Sequence, residues 1–146
     1  MKIAIGSDHR GFNLKEKIKK HLSENGIEVT DFGTHSEEPS DYPDVAKVLA
    51  ESVGKGEVER GILICKSGIG MSIVANKVKG VRAALCRDVE DAEMSRRHND
   101  ANLLTLGAGR TKPRNAFEII STWLKTPFEG GRHERRVKKI EEMEKD

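Results

Sequence analysis

Short apolar runs alternate with stretches of helical period almost from one end of the chain to the other. Lys2 to Ser7, Glu28 to Asp31, Gly61 to Cys65, Val81 to Cys86 and Leu103 to Leu106 are brief and aliphatic or β-branched. Each is closed by Gly, Asp, Ser or Arg, the pattern of a buried strand. Between them, Phe12 to Glu24 carries Leu14, Ile18 and Leu22 on one helical stripe, and Gly26 is placed to stop that helix. Asp41-Tyr42-Pro43-Asp44 predicts a capped helix start with Pro in the first turn, leading into Val45, Val48, Leu49 and Val53. Ile69 to Lys77, Val89 to Arg97 and Pro113 to Leu124 supply three further helices, and a helical tail over 129–146 follows Gly130-Gly131.

Such alternation of strand and helix predicts a parallel sheet covered on both faces, with right-handed crossovers. The expected fold is a three-layer α/β/α, Rossmann-like sandwich: five parallel strands in one domain spanning 1–146, with a helical tail. The length of 146 residues suits one core, and no repeat or low-complexity segment divides it. A net charge of +2, with 34% charged residues, describes a soluble globular protein without the one-sided basic surface of a nucleic-acid binder. No apolar run approaches membrane-spanning length, so neither nucleic acid nor membrane is an expected partner. The chain opens directly into a strand, not a signal peptide, and its two cysteines offer no disulfide framework; a cytoplasmic location is expected. The tail has as many acidic as basic side chains, the mark of a solvated helix, but its basic residues crowd its N-terminal half.

In open α/β sheets ligands bind beyond the carboxyl ends of the strands. Ser7-Asp8-His9-Arg10-Gly11, Cys65-Lys66-Ser67-Gly68-Ile69-Gly70, Cys86-Arg87-Asp88 and Gly107-Ala108-Gly109-Arg110 end strands, and His98-Asn99-Asp100 ends a helix. These titratable groups are expected to converge. Spacing excludes several chemistries. A nucleotide-binding loop needs Gly where Cys65 precedes Lys66-Ser67. A cysteine phosphatase of the low-molecular-weight kind needs Arg where Met71 stands. No C-x-x-C pair occurs, and the histidines show no metal-ligand spacing. A single thiol at a strand-to-helix corner remains. Glycines and a helix entrance there suit a bound anion, and such places favour thiolates. Two readings of Cys65 stand side by side: a base or nucleophile, and an inert buried thiol ending a strand. Cys86, with no glycine loop after it, reads as packing.

Ser-Asp-His-Arg-Gly-Phe (7–12), Thr-Asp-Phe-Gly-Thr (30–34), Asp-Tyr-Pro (41–43), Cys-Lys-Ser-Gly-Ile-Gly (65–70), Ala-Asn-Lys (75–77), Arg-His-Asn-Asp-Ala-Asn (97–102) and Phe-Glu-Gly-Gly-Arg-His-Glu-Arg-Arg (128–136) follow one another in this order. Together they resemble the B-type ribose-5-phosphate isomerases, a family shared with galactose-6-phosphate and allose-6-phosphate isomerases. The resemblance implies metal-independent aldose–ketose isomerisation of ribose 5-phosphate and ribulose 5-phosphate through a cis-enediolate, with no cofactor. It implies Cys65 as the carbon-acid base and the backbone of Lys66, Ser67, Gly68, Ile69 and Gly70 as the oxyanion hole. His98 would open the furanose ring, helped by Asp8 and Tyr42, and Asn99 would hold sugar oxygens. His9, Arg110, Arg132 and Arg136 would hold the phosphate. Arg132 and Arg136 lie one helical turn apart, so their guanidinium forks share a face.

The implied assembly is a homodimer or dimer of dimers with shared active sites, with His98, Asn99 and Arg110 as candidates for reaching across. A hexose-6-phosphate isomerase of the same family and a non-catalytic sugar-phosphate-binding protein are the competing readings. The blander roles are helix capping for His98, Asn99 and Asp8, packing beside Pro43 for Tyr42, and a surface position for Arg135. One departure stands out: the family commonly has Cys-Gly-Thr-Gly where this chain has Cys65-Lys66-Ser67-Gly68. Ser67 keeps the hydroxyl of Thr and is counted among the catalytic residues. Lys66 cannot share the freedom of Gly, so an ordinary backbone conformation is expected there.

Overall fold

The computed structural model describes residues 1–144. Along the chain it runs β1 (Ile3–Ser7), α1 (Phe12–Glu24), β2 (Val29–Asp31), α2 (Tyr42–Gly54), β3 (Arg60–Cys65), α3 (Ile69–Ala75), β4 (Ala83–Leu85), α4 (Val89–Asn99), β5 (Leu103–Gly107), α5 (Pro113–Lys125) and α6 (Arg132–Glu142). The strands form one parallel sheet in the order β2-β1-β3-β5-β4. The expected sheet between two helical layers is the fold observed.

Strand side chains alternate between faces, so each strand feeds two cores. Ile5, Ile62, Ile64 and Leu104 pack with Leu14 and Ile18 of α1, Ala92 of α4 and Ile119 and Trp123 of α5. On the other face Ala4, Leu63, Cys65 and Leu103 meet Ala46 and Leu49 of α2 and Met71 and Ala75 of α3. The helices α1 and α4 carry the chain one way along the sheet on the first face, and α2 and α3 carry it the other way on the second. All four crossovers therefore share one hand, as right-handed connections require. From the central β3 the chain leaves toward α3, whereas from its neighbours β1 and β5 it leaves toward the opposite layer. That divergence opens a crevice at the carboxyl end of β3.

The strand expected over Val81 to Cys86 shortens to β4. Val81 N–H turns back to Val78 O at 3.2 Å, and Arg82 N–H is taken by Asn102 Oδ1 at 2.8 Å, so neither joins the ladder. The tail helix is shorter than 129–146, and Lys145 and Asp146 lie outside the described residues. Positive φ at Gly130 (72°) and Gly131 (59°) bends the chain into α6. The far end of that segment is tied down by Gly80 N–H donating to Glu144 Oε2 at 2.9 Å.

Beneath β1 lies a buried ion pair. Lys15 has no exposed surface, and its Nζ donates to Asp31 Oδ1 at 2.7 Å and Oδ2 at 2.8 Å. Lys19 Nζ and Gly33 N–H add donors to the same carboxylate, each at 2.8 Å. Burial alone would raise the Asp31 carboxyl, but these donors hold it below its ordinary value. The pair anchors the turn after β2, where Ser7 N–H donates to Gly33 O and Thr34 N–H to Ser7 O, both at 2.7 Å. Among the described residues no helix is long and apolar enough to cross a membrane.

Candidate active site

At the carboxyl edge of the sheet Cys65 ends β3, 4% exposed, with Gly107 beside it on β5. The next residues must turn at once into α3. Gly68 makes this possible: it sits at φ 79°, and a methyl group there would lie 2.9 Å from the Leu106 carbonyl carbon. The turn brings Gly68 N–H to Cys65 Sγ at 3.2 Å and Ile69 N–H to Ser67 Oγ at 3.2 Å. The N–H groups of Ser67 and Gly70 have no protein partner among the described residues, so they remain available at the rim. Gly70 is required for another reason, because the Tyr42 ring covers it; a methyl group there would lie 2.6 Å from Tyr42 Cζ. Tyr42 is thus drawn from α2 to the thiol loop.

Other predicted residues share this edge. Asp8 is buried, and its Oδ1 accepts the N–H groups of Arg10 and Gly11, both at 3.0 Å. It shapes the turn before α1, whose N-cap position is Gly11. His9 is fixed against Ser40: its Nδ1 lies 3.1 Å from Ser40 N and 3.2 Å from Ser40 O, and its N–H donates to Ser40 Oγ at 3.1 Å. Lys66 has an ordinary negative φ, as expected of a residue that is not Gly. Its stem lies along Gly109, and its carbonyl accepts Gly109 N–H at 2.9 Å, binding the thiol loop to the loop that carries Arg110.

His98, Asn99, Arg132 and Arg136 stand elsewhere. The helix α4 runs back against the strand direction, so its last turn reaches the amino edge of the sheet. There Arg82 Nε donates to the carbonyls of Asn99 and Asp100, both at 3.1 Å, and Gly61 N–H, where β3 begins, donates to Asn102 O at 3.0 Å. Five strand residues at about 3.3 Å each separate the two edges by roughly 15 Å. The expected convergence therefore divides within one chain, because a helix end was counted with strand ends. Arg110 stays on the thiol edge. The helix end itself is capped by Asp100 at φ 48°, and buried Arg96 holds it through Asp100 Oδ1 and Ala101 O, both at 2.8 Å. Half-buried His98 stacks on His133 of α6, with centroids 4.2 Å apart and planes 11° apart. Arg132 and Arg136 are exposed on the helix flank beside His133 and Val137.

The model of the Ribose/Galactose Isomerase family matches residues 3–140. The chain belongs to that family. It is 48% identical over 143 residues to the ribose-5-phosphate isomerase B of Escherichia coli K12, covering 98% of this chain and 96% of that protein. The ribose-5-phosphate isomerase B of Clostridium thermocellum superposes with a TM-score of 0.96 at 55% identity, over 99% of this chain and 97% of the other. That of Mycoplasma genitalium, described with bound ribulose 5-phosphate, gives 0.94 at 41% identity, over 99% and 97%.

Within this Ribose/Galactose Isomerase chain the fold also assembles residues to which the motifs assigned no role. His98, Glu129 and His133 bring their ligand atoms within 4.8 Å of one another. A metal must lie near the plane of each imidazole that binds it, along the nitrogen lone pair. Two stacked, nearly parallel rings share no such point, so this cluster is no preformed chelate. The signal for it was Glu129 and His133 four residues apart within the 128–136 motif; their meeting with His98 depends on how α6 docks. Cys86 is buried, and burial pushes its thiol up to about 12, which suits a packing residue.

Proposed function

We propose that this chain is a metal-independent aldose–ketose isomerase interconverting ribose 5-phosphate and ribulose 5-phosphate, working as a closed assembly in which two copies build each pocket. The observation that carries this reading is the Cys65 sulfur held by Gly68 N–H in a loop that leaves two backbone donors open, in a chain of this family. A proton alpha to a carbonyl is weakly acidic, so the site needs a base and a place for the developing oxyanion. The Cys65 thiolate takes the proton from C2 of the open aldose, and the electron pair moves through C1 to O1, giving a cis-enediolate. The N–H groups of Ser67 and Gly70 receive the enediolate oxygens. The thiol then returns the proton to C1 while the proton of O2 passes to O1, leaving a carbonyl at C2 and a hydroxyl at C1.

His98 moves the proton that opens the furanose, with Asp8 and Tyr42 on the opposite side of the sugar, and Asn99 holds hydroxyls. His9, Arg110, Arg132 and Arg136 hold the phosphate. Since His98, Asn99, Arg132 and Arg136 lie at the far edge, a second copy supplies them. Ile69 and Ile73, 48% and 58% exposed one turn apart on α3, and the exposed ring of Tyr42 form an apolar surface beside the thiol for that copy to cover. A coupled assay with EDTA present, offering ribose 5-phosphate, allose 6-phosphate and galactose 6-phosphate, tests the reading. Turnover of the pentose phosphate is expected; inactivity on all three defeats it, and preference for a hexose phosphate moves the substrate within the family.

A further inference from the structure

His133 is a buried member of an otherwise charged first turn of α6, only 4% exposed. Its Nε2 has no hydrogen-bond partner among the described residues; Glu129 Oε1 lies 3.6 Å away, beyond bonding distance. Buried ring nitrogens are ordinarily satisfied, so this residue is not held there by its polar atoms. What its burial provides is a flat face under His98. The base of that face is rigid. Glu129 N–H donates to Arg97 O at 3.0 Å, the Glu129 carboxylate pairs with Arg97 at 3.1 Å, and His133 N–H donates to Gly130 O at 3.1 Å. The first turn of α6 is thereby tied to α4 one residue before His98. The His98 ring has no hydrogen bond of its own among the described residues, and the stack is what fixes its plane.

We propose that His133 is a positioning residue: through its ring face it sets the orientation in which His98 presents a nitrogen to the ring oxygen of a cyclic sugar phosphate. The inference rests on the ring-opening role given to His98 above. A platform must not compete for the proton in transit, and His133 meets that need. Burial, then the charges of His98 and Arg132, lower its pKa, with a smaller contribution from Arg136 and against an opposing pull from Glu129. The shift favours the uncharged ring beside His98.

Two variants separate the ring face from the nitrogen: His133→Phe keeps a flat ring, and His133→Leu keeps only apolar volume. Each is assayed in two reactions. Turnover of ribose 5-phosphate requires ring opening. Solvent deuterium exchange at C1 of ribulose 5-phosphate requires only enolisation, because its O5 is esterified and cannot close a furanose. His133→Leu is expected to lose about a hundredfold in ribose 5-phosphate turnover, the usual weight of a proton-transfer group, with exchange nearly unchanged. His133→Phe should stay within about threefold of the parent in both reactions. In NMR spectra the His98 Cε1–H signal should lie upfield in the parent and in His133→Phe, under the current of the adjacent ring, and return downfield in His133→Leu. Equal loss of both reactions in His133→Leu, a His133→Phe variant as impaired as His133→Leu, or an unmoved His98 signal each overturns the proposal. A parent enzyme inactive on ribose 5-phosphate defeats the isomerase reading instead, and the NMR comparison still judges the stack.

Discussion

The two edges of the sheet solve opposite problems. The carboxyl edge is built from small residues and backbone: a buried thiol, a glycine at positive φ, and N–H groups without a partner among the described residues. The amino edge is built from long charged side chains on helices, held by Arg96, Asp100 and the stacked histidines. Backbone donors cannot swing, which suits a place where charge appears at a fixed point during reaction. Guanidinium groups on an exposed helix suit an anion that must arrive and leave. Each edge lacks what the other has. Under the proposed function, the pairing of two copies brings them within reach of one small sugar.

The sharpest way to break the comparison is to silence the thiol edge. Cys65→Ala should lower turnover by about a thousandfold, the scale of a lost proton-transfer group, while phosphate binding survives in a direct titration. Full activity in that variant would show that another base acts. Mixing it with Arg136→Ala then asks whether the edges belong to different chains. Random pairing gives mixed dimers with one intact site each, so about a quarter of parental activity should return from two nearly inactive proteins. No recovery after subunit exchange would place both edges in one chain's own pocket.

Asp31→Asn separates holding the thiol edge from acting there. It strands the Lys15 ammonium in the core, which should cost about 3–5 kcal/mol at neutral pH, read as lowered thermal and denaturant midpoints. The sign with pH follows from the lowered folded value of the Asp31 carboxyl. Its contribution is complete above the unfolded value of about 3.8 and fades as pH falls through the folded one, so the variant and the parent should draw together below about pH 4. A gap that persists in acid would contradict this account. The smallest effect is expected at Lys66, which forms no ion pair among the described residues. If its charge favours the thiolate, Lys66→Gly should move the acidic limb of the pH–rate profile to higher pH. An unmoved limb would leave Lys66 only its brace against Gly109.

The sheet was legible because every strand is short, apolar and punctuated, and every crossover carries its stripe. What blurred was the amino end of β4, where Asn102 takes over the bonds a neighbouring strand would make. At the thiol edge the loop residues are adjacent in sequence, so Cys65, Ser67 and Gly68 could be read together. Tyr42 was harder, since nothing local says that its ring lies over Gly70. The amino edge was misplaced because residue type shows chemistry, whereas the direction of α4 decides which edge that chemistry reaches. His133 escaped for the same reason: its place depends on docking between helices far apart in the chain.

Cys86 has a practical consequence. With its thiol pushed up to about 12 and buried beside α4, it stays silent toward alkylating reagents near neutral pH. The chain's other thiol can then be counted. Under the proposed function, one equivalent of label per folded chain is expected, and two after unfolding, which would make Cys65 a titrant of competent sites in any preparation.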